Sequence, residues 1–312
     1  MQNVELSQLT IAPVDKASDA DLEAMVDVRR RVTPEDRPTI ENLRFNLESK
    51  TDLAYVVARL GGEPVACGFV EAWPPFAVGD VAVVPQYRRR GIGAAVLADL
   101  SAWARGRGKD SIQGEVRERD AESRAFLEHR GFVQVGAENA LVLDLGGVDP
   151  PAVEPPPGIR IVSRVEEPDL LEQMFVVAVQ AGEDIPGSEG VPTFEQWRAH
   201  EIDRPTRRPE LCFIALAGDD VVGYAALQVF GDEAHHGLTA TRRDWRRRGV
   251  ATALKRAEIA AAKKAGFRRL VTESEERNQP MRRLNEQLGF VPSPELSMVV
   301  VRGPLALPAV EV

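Results

Sequence analysis

At 312 residues the chain exceeds the usual size of one domain and suits two of about 150. A net charge of −9 argues against the broad basic face that nucleic acid requires, and no stretch approaches the ~20 apolar residues of a membrane-crossing helix. Hydrophobic residues make up 44%, enough for a sizeable core. Cys67 and Cys212 lie in apolar, strand-like runs and read as small buried hydrophobes of a reducing compartment. The N-terminus has no basic start followed by an apolar run, so a cytoplasmic protein is expected.

Leu9–Val14 reads as a strand and Asp19–Arg31 as a helix, capped by Ser18 or Asp19. Pro34 and Pro38 end it, and Thr39–Glu48 forms a second helix. Leu53–Ala58 and Val65–Ala72 are strands of a hairpin around Gly61-Gly62-Glu63-Pro64. Val81–Trp103 then combines three things: the β-branched run VAVV, the turn PQYRRRGIG, and a helix with Ile92, Val96, Leu100 and Trp103 on one face. Strand, glycine-rich basic turn and helix form a phosphate-holding device. Glycine lets the backbone approach an anion, while the free N–H groups and dipole of the helix start attract it. Gly106 or Gly108 closes the helix, Ser111–Arg117 is a strand and Ala121–His129 a helix. Gly131-Phe132 opens a last strand pair ending near Asp144.

The proline-rich stretch Gly146–Gly158 suits an extended linker. The expected division is an N-terminal domain 1–148, a linker 149–157 and a C-terminal domain 158–312. The second half replays the first. Gly158–Val162 is a strand and Pro168–Gln180 a helix; an irregular stretch with Pro186 and Pro192 precedes a helix over Thr193–Asp203. Leu211–Leu216 and Val221–Val229 form a hairpin around Gly218-Asp219-Asp220. Gly91 and Gly249, Gly108 and Gly266, and the pairs Gly131-Phe132 and Gly289-Phe290 are all 158 apart, the mark of a duplicated domain. Hairpins mixed with helical crossovers give an α+β class: two tandem domains, each a mixed, mostly antiparallel sheet flanked by helices. Neither GxGxxG after a first strand nor GxxxxGK[ST] is present.

Each half resembles the GCN5-related N-acetyltransferase (GNAT) family, whose signature is [RQ]-x-x-G-x-[GA] between a strand and a helix. The first half has Arg88-Arg89-Arg90-Gly91-Ile92-Gly93, the second Arg246-Arg247-Arg248-Gly249-Val250-Ala251. The resemblance implies that these turns bind the pyrophosphate of acetyl-CoA, the co-substrate. It implies that the preceding strands, through Val81 and Val83 or Thr239 and Thr241, pair with the pantetheine arm. A family Asn ahead of a helix and a closing Gly-Phe falls on Asn278, which the resemblance implies as a further acetyl-CoA-binding residue; the first half has Asp120 there. The tandem layout is similar to that of the mycothiol synthases, although the helix after Asn278 reads PMRRLNEQLGF rather than AxxLYExLGF.

Acetyl transfer to an amine needs a proton acceptor for the nucleophile and support for the oxyanion. The family often places a Tyr acid five residues before the Phe of Gly-Phe; here those positions are Leu127 and Asn285, and of the two only Asn285 can donate a hydrogen bond. Base candidates near the strand before the turn are Asp80 and Glu71 in the first half, and in the second Glu233, His235 and His236, at the entry to the strand Gly237–Thr241. Adjacent histidines on a strand point to opposite faces, so no metal site is expected. The C-terminal half is read as catalytic, through Glu233, His236 and Asn285. Thr33–Thr39 and Glu183–Thr193 are expected to wall the acceptor site. The expected partners are acetyl-CoA and a small-molecule amine, without nucleic acid or membrane, in a monomer (an intramolecular pseudo-dimer) or a homodimer. A protein or peptide acetyltransferase and a non-catalytic CoA-binding sensor are the alternatives.

Overall fold

The computed structural model describes residues 7–34, 37–184 and 193–307. Their contacts divide into two compact units, each of the mixed α+β class.

The first unit starts with β1 (Leu9–Pro13), α1 (Asp19–Val32), α2 (Ile40–Ser49), β2 (Leu53–Leu60), β3 (Glu63–Ala72) and β4 (Ala77–Val83). It continues through α3 (Ile92–Arg105), β5 (Ser111–Arg117) and α4 (Ala121–Glu128). Local chemistry explains the helix ends. The Ser18 hydroxyl accepts from the Asp21 N–H, Asp19 and Asp21 occupy the positive first turn of α1, and Arg29–Arg31 its negative last turn. Strand alternation then sorts the core onto two faces. Tyr55 and Val57 face Leu22, Met25 and Val28 of α1, whereas Val56 and Ala58 face Ile92, Val96 and Leu100 of α3.

The second unit repeats the plan: β7 (Ile159–Ser163), α5 (Leu171–Gly182), α6 (Phe194–Trp197), β8 (Arg207–Ala217), β9 (Asp220–Phe230), β10 (Glu233–Thr241), α7 (Val250–Lys264), β11 (Arg269–Glu275) and α8 (Gln279–Gln287). Two local readings are corrected. The helix expected over Thr193–Asp203 stops at Trp197 and widens into a π-type turn over Arg198–Ile202. The two histidines lie within β10, which starts at Glu233, rather than at the entry to a strand starting at Gly237.

The last strands differ most from the sequence reading. β6 (Val133–Asp144) is one twelve-residue strand, not a pair. From Gly136 onward it belongs to the second unit, antiparallel to β11, and β12 (Val291–Pro292) pairs with it. β13 (Met298–Pro304) belongs from Val299 onward to the first unit, beside β5. The strand orders are therefore β1-β2-β3-β4-β5-β13 and β7-β8-β9-β10-β11-β6, with each copy's final strand completing the other copy's sheet. The contact units thus depart from the expected division at 148 and 158, because apolar periodicity says that a strand exists but not which sheet it joins.

Gly303 shows how tightly β13 is seated. A Cβ there would lie 2.4 Å from the ring of Phe132, so only glycine lets the strand cross that ring. Gly303→Val is expected to destabilise by about 1–3 kcal/mol, seen as a lower urea midpoint at unchanged slope.

Candidate active site

The two phosphate-type turns have the same backbone. After β4 comes a 3₁₀ turn, Pro85–Tyr87, and after β10 another, Arg243–Trp245. Arg89 and Arg247 then take φ values of +61° and +59°, Gly91 and Gly249 values of +83° and +87°, and α3 and α7 begin without a side-chain cap. Left-handed residues next to an uncapped helix start point successive N–H groups into one concavity, the usual anion nest.

The arginines of each triplet divide their work. The first is a staple: Arg88 Nε donates to Val83 O at 3.2 Å, and Arg246 Nε to Thr241 O at 3.0 Å. Their outer ends pair with Glu122 at 3.2 Å and with Asp184 at 2.6 Å. Hydrogen bonds from Arg243 and Arg246 hold the Asp184 carboxyl at about 2. The third arginine lies over an aromatic ring, Arg90 over Tyr87 at 5.4 Å and Arg248 over Trp245 at 4.8 Å. The second, Arg89 or Arg247, is exposed and has no side-chain partner among the described residues. Each turn thus offers backbone N–H groups and one unengaged guanidinium.

Below the turns the sheets open. β4 pairs in parallel with β5 only at Ala77–Ile112 and Val78–Gln113, and β10 with β11 only from Glu233–Arg269 to His235–Val271. The remaining edges, carrying Val81 and Val83 or Thr239 and Thr241, have no ladder partner on that side among the described residues. β10 also shifts register against β9 between His236 and Thr239, while β4 holds one register against β3. Within that bulge the Arg207 guanidinium lies on Gly237, where a Cβ would be 2.5 Å from it; Arg207 is held there by Ala226 O at 3.0 Å and Glu201 at 2.8 Å.

The two copies differ in what fills the end of the opening. In the second unit His236 Nδ1 is 2.7 Å from Glu258 Oε2, and neither side chain is exposed. Burial above all, and then the Lys255 charge, push His236 down from the usual imidazole range, so the ring is neutral. Its Nδ1–H therefore donates to the carboxylate and Nε2 keeps the lone pair. Lys255, 1% exposed, sits 5.9 Å from the Phe290 ring, and the His236 ring is 5.4 Å from the same ring. Asn285 O accepts from Phe290 N at 3.1 Å. His236 Nε2, Glu258 Oε1, Ser274 Oγ and both amide atoms of Asn285 are buried without a hydrogen-bond partner among the described residues. Orphaned buried polar atoms are costly and mark a place where something polar binds.

In the first unit the residues 158 positions earlier are Leu97 for Lys255, Leu100 for Glu258, Val116 for Ser274, Leu127 for Asn285 and Phe132 for Phe290. Leu97, Leu100, Val116 and Phe132 belong to one apolar cluster, and the half-buried Leu127 packs against it. Because of the bulge, the strand register matches His236 with Gly79.

Other expected residues turn out to be engaged. Glu233 is buried between Arg268 and Arg269, the latter at 2.9 Å, so its oxygens are committed to two guanidinium groups and it is not a free proton acceptor. Asp80 is tied to Arg29 at 2.5 Å and Glu71 to Lys50 at 2.7 Å. Asn278 caps α8, accepting from Met281 N, and Asp120 caps α4, accepting from Ser123 N. His235 faces away from His236, against Phe230 at 4.9 Å, and burial above all brings its pKa down to about 4. Of the expected acceptor-site walls, residues 35–36 and 185–192 lie outside the described residues. The sequence reading missed Lys255 and Glu258; their signal was a charged pair on the apolar stripe of α7 at positions where the first copy has leucine.

Comparison with known proteins agrees with this geometry. The model of the Acetyltransferase (GNAT) family matches residues 22–132 and again 177–290. A mycothiol acetyltransferase of Thermobifida fusca (strain YX) is 27% identical over 269 residues, covering 76% of this chain and 79% of that protein. Among solved structures, a GCN5-related N-acetyltransferase from Sphaerobacter thermophilus superposes with a TM-score of 0.74 at 20% identity, over 97% of both chains. A tandem GNAT protein from the clavulanic acid biosynthesis pathway gives 0.75 at 22% identity, over 95% of this chain and 98% of that one. With the family matched in both halves and the fold shared along almost its whole length, the chain belongs to the GNAT acetyltransferase family, as a tandem acyltransferase.

Proposed function

We propose that the protein moves the acetyl group of acetyl-CoA to a primary amine of a small molecule, by direct attack in a ternary complex held in the C-terminal half. One observation carries this: where the N-terminal copy has Gly79, Leu97, Leu100 and Leu127, the C-terminal copy keeps a buried histidine, lysine, glutamate and asparagine, and His236, Glu258 and Asn285 have unsatisfied atoms. A fold that is complete without these groups retains them for chemistry. The relative named for mycothiol supports a small-molecule acceptor.

In this reading the backbone of Arg247–Ala251 and the Arg247 guanidinium receive the pyrophosphate. The open β10 edge, through Thr239 and Thr241, aligns the pantetheine arm. His236 Nε2 takes the proton that the amine loses as its nitrogen bonds to the thioester carbon, and the Glu258 hydrogen bond holds the tautomer that can do so. Asn285 offers an N–H to the sulfur. The turn Arg88–Gly93, with Val81 and Val83, has the same anion geometry but ends on an apolar cluster, which supports binding without turnover there.

Calorimetry with acetyl-CoA, followed by free-thiol release across a panel of small amines and basic peptides, tests the proposal. Binding with turnover of at least one small amine supports it. Turnover of peptides alone moves the reading to a peptide acetyltransferase, and tight binding without any turnover overturns the enzymatic reading. Gly249→Ala is expected to raise KM for acetyl-CoA roughly tenfold, because a side chain at positive φ is strained by about 1–2 kcal/mol where the anion docks. Gly91→Ala should have a smaller effect, and the opposite ranking would assign catalysis to the N-terminal half.

A further inference from the structure

We propose that Lys255 is the acid of the reaction: its ammonium protonates the CoA thiolate as the carbon–sulfur bond breaks, and Glu258 is the positioning residue between it and His236. This rests on the reading of the C-terminal half as an acetyltransferase site.

The chemistry leaves a vacancy for such a group. The position five residues before the Phe of Gly-Phe is Asn285, whose amide donates a hydrogen bond but transfers no proton at neutral pH. Phe290 gathers the alternatives: its N–H donates to the Asn285 backbone carbonyl, His236 lies 5.4 Å from its ring and Lys255 Nζ 5.9 Å. Lys255 Nζ has no hydrogen bond or ion pair among the described residues, although the residue is fully buried. A lysine in a core with no carboxylate hydrogen-bonded to it is rare. The same helix position in the other copy is Leu97, fully compatible with the fold, so packing does not call for the charge.

Its protonation suits the role. Burial brings Lys255 down to about 8, against the opposing pull of the Glu258 charge. A thiol titrates near ~8.5, so the transfer is close to balanced in the collapsing intermediate. The titratable groups around it are Glu258 on its own helix and His236 from β10, with Cys212 of β8 within reach of the Glu258 charge and raised by burial above all to about 12. The other buried polar residues of β11 and α8, Thr272, Ser274 and Asn285, do not titrate in this range.

The protons balance. On collapse the electron pair of the C–S bond stays on sulfur, which takes a proton from Nζ to give the thiol and leaves Lys255 as a neutral amine. The proton taken earlier from the acceptor amine sits on His236. Its return to Lys255 restores both groups, and no further reactant is required.

Lys255→Met, which approximates the leucine of the other copy, and Lys255→Arg, which keeps the charge but holds its proton, decide the matter. In the wild type, kcat should fall above about pH 8 as Lys255 loses its proton. Both variants should lose roughly 10²-fold in kcat at pH 7 and also lose that descending limb. Calorimetry supplies a readout independent of turnover. Wild-type affinity for CoA, relative to acetyl-CoA, should rise between pH 7 and 8.5 as thiolate meets ammonium, and this rise should vanish in Lys255→Met. A kcat within threefold of wild type with the limb intact, or an unchanged calorimetric rise, overturns the role of Lys255 alone. A wild type that binds acetyl-CoA but acetylates no amine overturns the functional reading, while the calorimetric comparison still decides on Lys255.

Discussion

Changing His236, Lys255 and Glu258 together to leucine is expected to abolish acetyl transfer, by more than 10³-fold, and to leave the protein at least as stable as before. The first half of this outcome follows from removing base, acid and the carboxylate between them, each worth roughly 10²–10⁴ in general acid–base catalysis. The second half follows from electrostatics. Three polar groups taken out of water are compensated here by one 2.7 Å hydrogen bond, with Glu258 Oε1 and His236 Nε2 unsatisfied. Replacing a buried charge cluster by apolar side chains of similar volume is commonly neutral or stabilising by about 1–4 kcal/mol. Leu97 and Leu100 show that leucine fits two of the corresponding helix positions in this fold. Thermal unfolding should move up by a few degrees, at about 2–4 °C per kcal/mol for a unit of this size. A fall of more than 5 °C would show that the cluster supports the fold, and retained turnover would show that it is not the catalytic centre.

Breaking the same cluster one member at a time should have the opposite effect on stability. Glu258→Gln leaves the Lys255 ammonium buried without a counter-charge and gives His236 an amide in place of a carboxylate. Taking away the one negative charge that offsets a buried ammonium is comparable to breaking a buried ion pair, which costs about 3–5 kcal/mol, so a drop in Tm on the order of 10 °C is expected. Activity should fall with it, since the His236 tautomer is no longer dictated. Adding Lys255→Met to Glu258→Gln should restore most of the lost stability and none of the activity. Such non-additivity is the signature of direct coupling, and additive losses would place the two residues in separate environments.

These contrasts explain which parts of the site were legible in the sequence. The turns were visible because backbone constraints are written in residue type: Gly91 and Gly249 occupy left-handed positions, and their constant offset from Gly131 and Gly289 announces two copies. His236 was visible as a titratable residue on the strand that leads into the turn. The engagement of Glu233 by Arg268 and Arg269 was not, because an ion pair depends on where a loop returns. The back-bonding of Arg88 and Arg246 was hidden for the same reason: a triplet of identical residues does not say which member staples the turn. Asn278 carried a double meaning, since an Asn ahead of a helix is a ready cap, and it caps here. Lys255 and Glu258 were hidden in plain composition, as two charged residues in the alanine- and lysine-rich helix Val250–Lys264. They emerge only when the copies are laid position by position and charge is found opposite leucine.

The exchange of final strands sets the order in which the protein can be finished. β5 has β4 on one side but lacks its second neighbour until β13 has been made, and β13 follows all the other strands in the chain. At about 5–20 residues per second, the ribosome needs on the order of ten seconds or more to travel from Phe132 to Val299. During that time the N-terminal sheet waits with an open edge, while the C-terminal sheet, whose last strand β6 is already synthesised, can close as soon as its own chain emerges. The half that begins first is completed last, and the half with the buried charges is the first to hold its full sheet.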